Sequence, residues 1–420
     1  MKDVSFLYGN NPHNQYTGRI EVHLMETVDG GTLRDAVAMA EQRYPYFRVK
    51  VVRDEHGELD IVPNDAPIPV TKGEEPVCLG TDEANNHYVA VAYDDRNLYF
   101  DFYHPLTDAA GFIPFIKTVL YYYLCDRYQV AIDPTGINLA GSEIPYEEIC
   151  EPKPQFETDN VKPFYEYRGV QPFSLFTDAG MKQTENIVYR IKIRESDLMK
   201  YAKTNDGSPN VIFSVFLCKA IAQNHADTEL PIVGGIAINV RPAYGLAPTN
   251  YHNLVNVMHL KYDKSVWDWD ISKLLTCSRG MILLQSQPEN FVAGSNNQKS
   301  RLYNYIMQQD TDEARWQEMM KLMESHNLDT FDISYVGRVS WGALEKYIDG
   351  VYTISYPSVG KGISIKLNAI NGYFAMTFVQ KFAGDTYINN FLNVLKTEGI
   401  EYLIDAPTPV ITPKVNTYRR

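Results

Sequence analysis

The stretch Tyr99–Tyr123, YFDFYHPLTDAAGFIPFIKTVLYYY, carries three local signals in a row. Tyr99, Phe100, Phe102 and Tyr103 flank Asp101 and predict a strand. His104-Pro105-Leu106-Thr107-Asp108 breaks it, because Pro105 fixes its own φ and pushes His104 out of the α region. Ala109, Ala110 and Gly111 are small enough for another group to approach the backbone. Ile113–Tyr123 then predicts a helix, with Pro114 tolerated in a first turn. The expected product is a histidine at the exit of a buried strand, beside a helix start, with Asp108 on the same loop.

The spacing by itself says little. His-x-x-x-Asp occurs as His56/Asp60, His104/Asp108 and His259/Asp263. The first lies in a polar turn and the third begins inside a strand-like run. His104 alone has the strand, the small residues and the following helix. Taken in isolation, a core histidine bonded at a strand end is the more frequent outcome.

Outward from this stretch, alternation over residues 18–29 predicts a strand. Thr32 is expected to cap a helix presenting Leu33, Ala36, Val37 and Ala40. Phe47–Val52 resumes as a strand, followed by a turn around Gly57 and a polar, proline-containing stretch. Tyr88–Tyr93 and Leu98–Tyr103 form a hairpin that delivers His104. Residues 144–173 lack periodicity and hold Pro145, Pro152, Pro154, Pro163 and Pro172, a linker signal that an ordered surface loop would also give. Strands are expected at 186–193, 231–240, 254–260, 331–339 and 351–356. Ser196 and Ser208-Pro209 start helices. Asn371-Gly372 marks a hairpin and 386–398 a last helix.

At 420 residues, two domains are the default. The composition, 45% hydrophobic and 22% charged, is that of a globular chain. A net charge of −13 disfavours nucleic acid as a partner and leaves an anionic small substrate open. The five cysteines are scattered without a C-x-x-C pair, so reduced thiols, no structural metal and a cytoplasmic location are expected. No signal-peptide core and no membrane span is evident. G-x-S-x-G, P-loop and H-E-x-x-H motifs are missing, and Gly360-Lys361-Gly362 leads into a strand, the wrong context for a dinucleotide.

HPLTDAAG after an aromatic strand resembles the His-x-x-x-Asp-Gly motif of the chloramphenicol acetyltransferase-like superfamily. That superfamily includes condensation domains, alcohol acetyltransferases and plant acyl-CoA-dependent acyltransferases. TLRDAVAMAEQRYPYFRVKV resembles its early helix, INVRP at 238–242 with Asn253 downstream its Arg and Asn segment, and ISYVGRV at 333–339 its late strand. Tyr103 replaces the first histidine of the paired form, and Ala109 the glycine after the aspartate, with Gly111 further on. The plant Asp-Phe-Gly-Trp motif has only a faint echo in Trp341-Gly342.

The resemblance implies an α+β, two-lobed chloramphenicol acetyltransferase-like fold, each lobe a mixed sheet packed with helices. The lobes would be residues 1–155 and 181–420, joined by a linker at 156–180, with a tunnel between them. It implies an acyltransferase, moving an acyl group from acyl-CoA or a carrier-protein thioester to an alcohol or amine acceptor. No bound cofactor is expected. His104 is then the general base, because imidazole titrates near neutrality. Asp108 is structural, with Arg241 its expected partner. Tyr103, Gly111, Ser334, Ser340 and Trp341 are the candidates for substrate or oxyanion contacts. A catalytically inactive condensation-like binding or docking protein is the alternative.

Overall fold

The fold is built around β6 (Asn97–Tyr103), a strand with neighbours on both sides. Its residues from Leu98 onward are buried, which suits its run of aromatic and aliphatic side chains. The computed structural model describes residues 7–8, 17–55, 59–153, 161–176, 183–292, 304–325, 327–355 and 361–412. In the first sheet the order is β11 (Ile348–Ser355), β1 (Thr17–Leu24), β6, β5 (Val89–Asp94) and β4 (Val70–Lys72). A hairpin joins β5 to β6 as expected, and β4 adds in parallel from the proline-containing stretch. Helices α1 (Gly30–Glu41) and α2 (Ala109–Tyr128) share the core beneath this sheet. A separate ribbon pairs β2 (Val49–Arg53) with β3 (Leu59–Pro63).

The second sheet runs β14 (Tyr402–Ile404), β7 (Gln183–Arg194), β13 (Tyr373–Phe382), β12 (Ile363–Ile370), β10 (Phe331–Tyr335), β8 (Ile232–Asn239) and β9 (Val255–Tyr262). A short β15 (Thr408–Pro409) also pairs with β7. Three adjacent interior strands, β12, β10 and β8, are mutually parallel. One face is covered by α3 (Pro209–Ala222), whose residues Val211–Leu217 are all buried, and by the helix Thr386–Thr397. Ile333, Ile365 and Ile236 face this core. By alternation, Asp332, Ser334, Lys366 and Ala237 lie on the other face, toward the first lobe.

Two cores, one beneath each sheet, therefore account for most buried apolar residues. Chain order and sheet membership part at β11. It lies within 181–420, yet pairs antiparallel with β1 in the first sheet. From there it touches the second sheet: Thr377 Oγ1 donates to Thr353 O at 2.5 Å, and Asn368 Nδ2 to Thr353 Oγ1 at 3.1 Å. Arg190 on β7 also forks onto Glu21 on β1 at 2.9–3.2 Å.

Local caps moved two helix starts away from their expected positions. α1 begins at Gly30 because Asp29, not Thr32, is the cap, its carboxylate accepting from Thr32 N at 2.7 Å. Gly30 is required there, since a Cβ would fall 1.8 Å from Tyr93 Oη. α2 begins at Ala109 rather than Ile113, capped by Asp108, so Pro114 sits inside the helix. β10 ends at Tyr335, short of Val339. The expected turn at Gly57 and parts of the 156–180 segment lie outside the described residues.

Candidate active site

His104 follows the last residue of β6 in a turn, where Pro105 prevents the strand from continuing. Asp108 ends that turn. Its Oδ1 accepts from Gly111 N at 2.9 Å and its Oδ2 from Leu254 N at 2.8 Å. Arg241 closes a fork on the same carboxylate, Nη1 to Oδ2 at 2.9 Å and Nη2 to Oδ1 at 2.8 Å. Both residues are 1% exposed. The guanidinium is otherwise saturated: Nε donates to Asn250 O at 2.9 Å, Nη2 to His252 O at 2.8 Å and Nη1 to Asn239 Oδ1 at 3.1 Å. A buried ion pair with this many hydrogen bonds locks the loop of the first lobe to the 239–254 segment of the second.

The lock continues outward. Asn250 Nδ2 donates to the carbonyls of Glu147 and Cys150, both at 3.0 Å. Glu148 in turn holds Arg43 in a buried fork at 2.8 Å. The stretch after α2 is thus an ordered strap at this point.

Gly111 packs where the two lobes meet. A Cβ there would lie 2.5 Å from Tyr251 O and 2.7 Å from Thr107 Oγ1. The carbonyl belongs to a backbone held by its own bond, Tyr251 N to Glu148 O at 3.0 Å. Gly111→Ala should therefore lower stability by about 1–3 kcal/mol, the ordinary cost of overpacking. A thermal melt of the variant checks it, and an unchanged midpoint would remove the close-approach argument.

A cavity of about 90 Å³ opens between the lobes at His104. The first lobe contributes Gly18, Phe102, Ala109, Thr353 and Ser355 to its wall. The second contributes Ala237, Val255, Ser334 and Lys366. Burial holds the His104 imidazole below its ordinary pKa of 6.5, against an opposing pull from Asp108. The ring is therefore neutral at neutral pH.

The Asn253 amide nitrogen lies 3.1 Å from His104 Nδ1, and Asn253 Oδ1 takes Val255 N at 3.3 Å. An amide nitrogen at Nδ1 makes that atom the acceptor. With the amide turned over, Oδ1 would accept an Nδ1 proton and leave Nε2 bare. A base at Nε2 requires the second arrangement, and the ring also bonds its own backbone. Among the described residues, Nε2 has no hydrogen-bond partner.

Of the sequence candidates, His104, Asp108, Arg241 and Ser334 come together at this cavity. Tyr103, Gly111 and Trp341 do not line it. Tyr103 is 1% exposed and packs on the Tyr88 ring at 5.1 Å. Trp341 is 2% exposed in the first core, and Gly111 is taken up by the lobe contact. Ser340 is exposed and lies outside the cavity wall. His259 turned away from Asp263 and holds Asp329 at 2.6 Å. Among the described residues, no cluster of metal-ligating side chains is present.

No protein-family model matches the sequence, and no curated protein matches it. Solved structures do match. Polyketide synthase associated protein 5 from Mycobacterium tuberculosis superposes with a TM-score of 0.59 at 14% identity, over 94% of this chain and 95% of that one. The condensation domain of Monacolin K polyketide synthase MokA gives 0.55 at 10% identity, covering 94% and 96%. TRI101 of F. graminearum, solved with Coenzyme A and T-2 mycotoxin, gives 0.55 at 11% identity, covering 96% and 98%.

The chain has the two-lobed chloramphenicol acetyltransferase-like fold. The likeness spans nearly the whole chain and every neighbour named is close to it in length. Within this fold, three residues at or beside the cavity had no weight in the sequence. Asn253 was seen only as part of a segment resemblance. Lys366 and its partner Asp332 gave no signal, because alternating charged residues on a strand usually face solvent.

Proposed function

We propose that this protein is an acyltransferase that moves an acyl group from a thioester to an alcohol or amine, with His104 as general base. The observation that carries it is a partly buried imidazole, with one nitrogen engaged by Asn253, on the wall of a cavity between two lobes. The thioester is already activated, so no covalent enzyme intermediate is needed. His104 takes the proton of the acceptor O–H or N–H as that atom attacks the acyl carbonyl. The C–S bond then breaks, and the departing thiolate takes the proton back from the imidazolium. Such a base gives roughly 10²–10⁴-fold, and the remainder comes from holding the two substrates in line. Asp108 and Arg241 are positioning residues that hold the loop. Ser334 is the remaining candidate for donating to the developing oxyanion.

Acyl-CoA is the donor we would try first, since TRI101, with the same fold, was solved with Coenzyme A. A carrier-protein thioester is the second, since condensation domains share the fold. The division into lobes at 1–155 and 181–420, with β11 returned to the first, belongs to this proposal. So does a cytoplasmic location, consistent with five free cysteines. Among the described residues, no helix is long and apolar enough to cross a membrane.

The test is thiol release from a panel of acyl-CoAs with pooled alcohols and amines, beside His104→Ala. Acceptor-dependent release by the wild type alone supports the proposal. Release by neither, repeated with a carrier-loaded thioester, favours a binding protein of the same fold.

The pH dependence follows from the lowered pKa. The base form should persist below pH 6.5, so the acid limb of kcat/KM is expected on the acid side of that value. Stability carries the same sign: the unfolded histidine binds its proton first, so the contribution is lost as pH falls below 6.5. Asn253→Asp places a carboxylate at Nδ1, which holds the proton there and favours the imidazolium. The acid limb should move up relative to the wild type. An unshifted profile would separate Asn253 from His104.

A further inference from the structure

The face of the second sheet that meets His104 is polar where an apolar channel would have sufficed. Asp332 on β10 and Lys366 on β12 lie on this face, and their strands pair in parallel with Asp332 opposite Ser364 and Ser334 opposite Lys366. Lys366 Nζ meets Asp332 Oδ2 at 2.5 Å, and Ser364 Oγ donates to the same oxygen at 2.8 Å. Ser364 in turn meets Ser355 Oγ of β11 at 3.3 Å.

Two details set this pair apart from a spent structural bridge. The first is its unused capacity. Among the described residues Asp332 Oδ1 has no hydrogen-bond partner, and Asp332 is the one partner of the Lys366 ammonium. Lys366 brings three donors, so two are free. The second is access. The side chains keep 17% and 13% exposure although both strands are interior to the sheet. The opposite face is closed by α3 and the helix Thr386–Thr397, so both side chains lie on the face toward the first lobe. Lys366 and Ser334 themselves line the cavity with His104, beside Ser355 and Thr353.

Burial works against ionisation of Asp332, but Lys366 and Lys361 outweigh it and hold the carboxyl below its usual range. The Lys366 ammonium, held by Asp332 on a wall shared with the Ser334 and Ser355 hydroxyls, offers donors beside groups that can also accept. A ligand that brings a donor and an acceptor of its own satisfies both. One that brings only methylenes covers them and leaves them unpaired, which is heavily penalised in an enclosed site.

We infer that Lys366, positioned by Asp332, selects the acyl acceptor, and that this acceptor is a small polar molecule bearing both a hydrogen-bond donor and an acceptor beside the reacting group, as in an amino acid, amino alcohol or polyol. The inference rests on the acyltransferase reading above. It adds a substrate class, one specificity residue and the residue that positions it.

The experiment compares L-serine, ethanolamine and glycerol with 1-hexanol and 1-hexylamine, using thiol release from the acyl-CoA panel. The wild type should favour at least one polar acceptor over the apolar ones by about tenfold or more in kcat/KM. In the double variant Asp332→Leu/Lys366→Met, that ratio should fall at least about tenfold. Replacing both members of a buried pair by apolar residues is often tolerated by the fold, and a thermal melt checks it here. Lys366→Gln, which keeps donors without the charge, supplies the ratio if the double variant does not fold, and an intermediate value is expected. Use of 1-hexanol or 1-hexylamine as efficiently as the polar panel overturns the inference and leaves acyl transfer standing. A ratio unchanged in the variants also overturns it. Release with none of the acceptors, from the acyl-CoA panel and from a carrier-loaded thioester alike, removes this inference and the acyltransferase reading together.

Discussion

Asp108→Ala is expected to cost about 3–5 kcal/mol of folding stability, the usual penalty for removing one member of a buried ion pair. The damage has three sources. The Arg241 guanidinium, 1% exposed, keeps its carbonyl partners but loses its counter-charge. Leu254 N loses its acceptor, and a buried donor left unmade is costly. Helix α2 loses its cap to Gly111 N, itself worth about 1 kcal/mol. Urea unfolding followed by circular dichroism measures the sum. A loss under about 1 kcal/mol would show that the lobes are held elsewhere, for instance through Arg190 and Glu21. Asp108→Leu combined with Arg241→Met should be less damaging than Asp108→Ala, because no charge is stranded. That comparison separates a structural pair from a chemical one. Any activity remaining in the folded double variant reports on His104 held by a looser loop.

His104→Ala should behave the opposite way. The side chain is partly buried, and its ring is hydrogen-bonded to Asn253 and to its own backbone. Little stability is therefore at stake, and the melting midpoint should stay near that of the wild type. Thiol release with a working donor and acceptor should fall by roughly 10²–10⁴-fold, the contribution of a positioned base. A fully active His104→Ala would end the general-base proposal and leave the fold unexplained by catalysis. The two variants make a pair. One should unfold early, and the other should fold and fail.

Much of the fold was legible because its signals are local. The β5–β6 hairpin, the cap at Ser208-Pro209 and the Asn371-Gly372 turn each rest on backbone chemistry within a few residues. Helix starts were misplaced where a side chain changed the cap. Asp29 and Asp108 each accept from the backbone three residues on, which outranks Thr32 and Ile113 as starting points. The short parallel β4 was missed, since three residues carry too little alternation to stand out.

The site divides in the same manner. His104, Pro105, Asp108 and Gly111 lie on one loop, and their order in the sequence is enough to place a histidine at a strand exit beside a capped helix. Arg241 was singled out by the resemblance of its segment, not by anything in its own surroundings. What faces the histidine was decided only in three dimensions. Asn253 reaches Nδ1 from the other lobe, and Asp332 and Lys366 share one face through parallel pairing of β10 with β12. β11 leaves the second half of the chain to complete the first sheet and so brings Thr353 and Ser355 to the cavity. Local propensity fixes where a chain turns and which way its side chains alternate. Which strand lies beside which is a choice among long-range pairings whose energies nearly match. Burial of two complete cores decides that choice, and with it the groups that His104 meets.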